Sequence, residues 1–129
     1  MFVLLRCIKL AVTLLALLTF SRIDAADLSS LHGVWNGVWH IGMSSGKAVL
    51  RIDPSGDATI RFTNLEGFND NETTLHKFVV DGQTVSFAAP SQVSVEFAIK
   101  LTITSDGQAM EGGGKYSGAG AKLVFRRAN

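Results

Sequence analysis

From Val93 to Thr104 the sequence alternates without a break. Val93, Val95, Phe97, Ile99, Leu101 and Ile103 are large and apolar, and every residue between them is small or polar. Successive side chains on an extended strand point to opposite faces, so a period of two sends one face to a core and the other to water. A helix would scatter the same residues around its circumference. Any fold for this chain must therefore hold a long strand buried on one side, and the rest of the sequence must supply its neighbours.

It does so in shorter runs of the same kind. Gly33 to Gly42 carries Trp35, Trp39 and Ile41 in one phase, and Lys47 to Asp53 sets Ala48, Leu50 and Ile52 against Lys47, Arg51 and Asp53. Ala58, Ile60 and Phe62 alternate with Thr59, Arg61 and Thr63. Lys77 to Val80 and Thr84 to Ala89 follow, then the weaker Gln108 to Ser117, and Ala121 to Arg127 with Leu123 and Phe125. Turn residues separate the runs: Ser44-Ser45-Gly46, Pro54-Ser55-Gly56, the long Glu66-to-Thr74 stretch, Asp81-Gly82, Pro90-Ser91-Gln92, Asp106-Gly107 and Ser117 to Gly120. Asp-Gly suits two-residue hairpins because it tolerates positive φ. This predicts an all-β chain, a small eight-stranded antiparallel up-and-down barrel in which the first strand closes on the last.

Residues 1–25 read differently. Arg6 and Lys9 precede an uncharged apolar run from Leu10 to Phe20, and the polar Ser21 to Asp24 leads to Ala25 before Ala26. That order is a cleavable signal peptide. A membrane anchor needs about 20 apolar residues, and Arg22 and Asp24 end this run early. The expectation is a signal peptide over 1–25, a single barrel domain over 26–129, and a periplasmic or extracellular location. Cys7 would leave with the signal, so the remaining chain would have neither disulfide nor thiol chemistry.

Taking Arg6, Lys9, Arg22 and Asp24 from the chain's 12 basic and 11 acidic residues leaves a net charge of −1. With no basic run in the sequence, nucleic acid is not the expected partner. Nor is the membrane once the signal is gone, because strands with one charged face do not suit a lipid-facing barrel.

The segment Leu31-His32-Gly33-Val34-Trp35-Asn36-Gly37 resembles the opening of lipocalin-type (calycin) barrels, where a helical turn leads into Gly-x-Trp on the first strand. It also looks like small bacterial barrel domains that begin Gly-x-Trp-x-Gly. The resemblance implies that Gly33, Trp35 and Arg127 form a closure, the last-strand arginine covering the tryptophan. Some bacterial inhibitors of secreted proteases are similar small barrels, although they carry a cysteine pair that this chain lacks.

Little in the sequence points to catalysis. His32, His40 and His76 are isolated, with no metal-ligand spacing, and nothing resembles a nucleophile elbow. No catalytic residue, metal ligand or cofactor is assigned. Glu66 to Thr74 is rich in oxygen ligands but lacks EF-hand spacing, and its Phe68 is either a lid or a contact residue. The in-phase aromatics Trp39, Phe62, Phe87 and Phe97 either fill the barrel or line a pocket, with Gly112-Gly113-Gly114 opposite as a source of unfilled volume. The leading expectation is a module that binds a small apolar or amphipathic ligand among these four residues. The alternative is a protein-binding module, such as an inhibitor of a secreted hydrolase or an accessory domain to one.

Overall fold

The computed structural model describes residues 28–128, so the expected signal peptide over 1–25 and Cys7 lie outside the described residues. A single helical turn, α1 (Leu28–Leu31), leads into nine strands: β1 (Gly33–Ile41), β2 (Ser44–Ile52), β3 (Ala58–Phe62), β4 (Glu72–Thr74), β5 (His76–Asp81), β6 (Thr84–Pro90), β7 (Glu96–Ile103), β8 (Ala109–Tyr116) and β9 (Ala119–Arg127). All neighbours are antiparallel, in the order β4-β3-β2-β1-β9-β8-β7-β6-β5. The sheet curls into a nearly closed barrel.

The alternating run folds as its pattern requires. Along β7, Phe97, Ile99, Leu101 and Ile103 are buried and the residues between them exposed. The strand starts at Glu96 rather than Val93, because Ser94 has a φ of 62° and Val93 points into solvent. β1, β2, β3, β6 and β9 bury the same phase, giving a core that includes Trp35, Trp39, Leu50, Ile60, Phe62, Val85 and Phe125. Each such side chain contributes about 1.5–3 kcal/mol by leaving water.

Two expectations need correction. Nine strands form rather than eight, because the end of the Glu66-to-Thr74 stretch is β4. Glu72, Thr73 and Thr74 pair with Arg61, Ile60 and Thr59 of β3, but they are too polar to show the burial alternation that betrays a strand. Only Leu75 separates β4 from β5, yet β4 pairs with β3 and β5 with β6. Lys77, at a φ of 54°, and a register shift between His76 and Val79 break the run there. β1 does pair with β9, from Trp35↔Arg127 to Ile41↔Ala121. The seam of the barrel therefore falls in mid-chain, between β4 and β5. The second correction is Gly46, which lies inside β2 opposite Trp39, the hairpin turn being Gly42-Met43.

Candidate functional site

At the α1 end, Trp35 is fully buried. Its Nε1–H donates to the Leu31 carbonyl at 3.0 Å, tying the helical turn across the barrel mouth. The Arg127 guanidinium lies 4.4 Å from the indole centroid, in register with Trp35 across the β1–β9 ladder. It donates Nη1–H to the His32 carbonyl at 3.3 Å and Nη2–H to the Ser30 carbonyl. Gly33, at a φ of 126°, starts the strand beneath it. Planar, permanently charged guanidinium can stack on a ring and donate at its edge together, which an ammonium cannot.

Within the barrel, Phe62 and Phe97 stack at 5.4 Å between centroids. Phe68 meets Phe62 edge-on at 4.8 Å, and Tyr116 lies 5.2 Å from Phe97 and 5.6 Å from Phe68. Phe68 is 1% exposed, so it folds back as a plug. The Tyr116 hydroxyl donates to the Glu66 carbonyl at 2.7 Å and pins that loop. Of the four aromatics singled out in the sequence, only Phe62 and Phe97 stack on each other. Phe87 stacks instead on Phe78 at 6.0 Å, and Trp39 packs over Gly46 while its Nε1–H donates to the Thr63 carbonyl at 2.9 Å. All four are buried.

The glycine run does not supply the free volume expected of it. A Cβ on Gly112 would lie 2.0 Å from the Lys100 carbonyl oxygen, on Gly113 2.2 Å from that of Ala121, and on Gly114 1.8 Å from that of Ala98. The space is already taken by neighbouring backbone, and these glycines let β8 bend closely against β7 and β9. The nearby hollow, lined by Lys77, Ser86, Glu96 and Lys100, lies on the outside.

A larger hollow of about 560 Å³ opens on the outer face of β2, β1 and β9. Val38, Val49 and Val124 form its apolar middle, and Asn36, Lys47 and Arg126 border it. Val38 is 42% exposed. Beneath it Gly37 admits the Phe125 ring, which would stand 2.6 Å from a Cβ at that position.

The fold is similar to that of a redesigned β-barrel. A solved structure of that protein superposes with a TM-score of 0.59, covering 79% of this chain and 95% of that one at 15% identity. No family model and no curated protein matches the sequence.

Around the outer hollow the charges are unevenly distributed. β1, β2, β3 and β9 carry Lys47, Arg51, Arg61, Lys122, Arg126 and Arg127 but no aspartate or glutamate. The ladders place Arg61, Val49, Asn36 and Arg126 in one row across four strands, and Lys47, Val38 and Val124 in the next, followed by Glu111 of β8. His40 stands beside Lys122 in the row beyond. The sequence shows no basic cluster because this one exists only in register. Its readable trace was Val38, Val49 and Val124, apolar residues on the outward phase of their strands.

Proposed function

We propose that the domain is an exported, non-enzymatic protein-binding module of the lipocalin-like type, which engages its partner through the outer β2-β1-β9 face. The aromatic plug carries this reading. Phe62, Phe68, Phe97 and Tyr116 pack on one another in the interior. Val38 is exposed, like Met43, Val79 and Val93, and among the described residues it is the one of these exposed side chains that lines an open hollow together with other valines. A pocket for an apolar ligand buries most of that ligand among its walls, whereas an open apolar patch with a polar and charged border has the anatomy of a protein interface. The Gly-x-Trp opening and its arginine cover support the lipocalin-like placement, and Arg6 and Lys9 ahead of the apolar Leu10-to-Phe20 run support export.

Site-specific photo-crosslinking in the cells that make the protein tests this. A crosslinker at position 38 should give a discrete protein adduct that Val124→Asp abolishes, and one at Thr102 on β7 should not. Absence of an adduct at position 38 refutes the reading. So does a large rise in melting temperature with fatty acids, small aromatics or isoprenoids, which would return the function to the interior.

A further inference from the structure

We infer that the partner presents an acidic segment to this face, with apolar residues at its centre and carboxylates on either side. The inference rests on the protein-binding reading above and names the chemistry of the partner.

The arrangement of charge is the reason. The valines occupy the middle of the face, with Arg61 and Lys47 on one flank and Arg126 and Lys122 on the other. Strands lie about 4.8 Å apart, so the backbones carrying Arg61 and Arg126 are separated by about 14 Å. That spacing leaves room for an extended chain between the two flanks. Among the described residues, Lys47, Lys122 and Arg126 form no direct salt bridge, and Arg126 acts at longer range on the Asp106 carboxyl. Arg61 is steadied by the Asp70 carbonyl, which accepts from its Nε–H at 2.7 Å. Glu72 lies 3.7 Å from Arg51 and stands opposite Arg61 at the outer end of its row, two strands from Val49. Glu111, across Val124 on β8, and Glu72, across Arg61 on β4, are the carboxylates that border the patch in register. Cations that outnumber the carboxylates around an apolar centre, which a partner would desolvate, favour an anionic partner and disfavour a basic one.

Other polyanions fit less well. The outward residues of β1, β2 and β9 include no tryptophan, tyrosine or phenylalanine. Such rings anchor proteins in lipid headgroups and stack on nucleic-acid bases. Short valine side chains set between long cations cannot enter a bilayer, but they can be covered by an apolar residue of a peptide.

The protein as purified from its own cells should be tested against an immobilised peptide with a Val-Leu-Val centre flanked by glutamates, and against the same peptide flanked by glutamines. Phosphatidylglycerol vesicles and a single-stranded oligonucleotide complete the set. The glutamate peptide should bind, and binding should weaken steadily as salt rises from ~50 to ~300 mM. Replacing both flanks with Lys47→Gln and Arg126→Gln should weaken it at least about tenfold, with Lys77→Gln on β5 unchanged. Melting curves of each variant separate lost binding from lost folding. Equal, salt-independent binding of both peptides that Val38→Asp abolishes would refute the acidic partner and leave the protein-binding face standing. Failure of both peptides, or preferential retention on vesicles or oligonucleotide, overturns the inference; the crosslink at position 38 then decides separately whether the face binds protein.

Discussion

Replacing Phe68 by alanine removes the plug from the aromatic cluster. The ring is 1% exposed and contacts Phe62 edge-on at 4.8 Å and Tyr116 at 5.6 Å. Phenylalanine-to-alanine changes in cores cost about 3–5 kcal/mol. Losing two ring contacts, each worth about 0.5–1.5 kcal/mol beyond area, places this one near 4 kcal/mol, by the same rule. For a domain of about a hundred residues, 1 kcal/mol moves Tm by roughly 4–8 °C, so a fall of ~15–30 °C is expected. Phe68→Leu keeps most of the volume and should cost about 1.5 kcal/mol or less. The assay is urea unfolding followed by tryptophan fluorescence, with the m-value compared among the three proteins. A cavity that stays dry should also bind benzene and recover part of the loss. If Phe68→Ala costs under about 1 kcal/mol at an unchanged m-value, the ring does not seal the interior. The case for an outward-facing function then loses its basis.

Arg127→Ala should cost about 1–2 kcal/mol through the lost ring contact and carbonyl hydrogen bonds, with Arg127→Lys only partly restoring it in the same unfolding assay. Gly114→Ala should destabilise by at least about 1–3 kcal/mol, because its Cβ would meet the Ala98 carbonyl at 1.8 Å, whereas Gly120→Ala, facing open space, should be neutral; equal effects would refute the backbone-contact account of the glycine run. The Thr104 hydroxyl, donating at 2.6 Å, and then the Gln108 N–H at 3.0 Å hold the Asp106 carboxyl below its usual 3.8. Because the folded value is depressed, the contribution is present above the unfolded pKa and lost as pH falls through the folded one; a carboxyl titration by NMR should show this, and Thr104→Val should raise the midpoint. Intact mass of the exported protein should correspond to a chain starting at Ala26.

Residues that report their own environment were legible in the sequence. Phe97, Ile99, Leu101 and Ile103 alternate and face inward, whereas the meeting of Trp35 and Arg127 in register was implied by the Gly-x-Trp resemblance and not by periodicity. What escaped depends on neighbours. Glu72 to Thr74 is a strand only because β3 lies beside it, and Gly114 is crowded only because Ala98 passes over it. Arg61 and Arg126 share a row only after β2, β1 and β9 have chosen their registers. Periodicity carries information about one strand, and register is a property of pairs.

The pairing of β1 with β9 makes the order of assembly directional. Every other ladder joins strands adjacent in sequence, but Trp35↔Arg127 closes nearly the whole described chain. Bringing such distant ends together costs about 4 kcal/mol of chain entropy before either strand gains a partner. Contacts of this range slow folding. Until β9 arrives, β1 and β8 are both open edges whose inner faces expose Trp35, Trp39 and Met110. Loss of the nine residues of β9 by proteolysis or early termination would therefore leave two sticky margins that recruit other copies. β9, by covering both margins, guards the other strands against self-association.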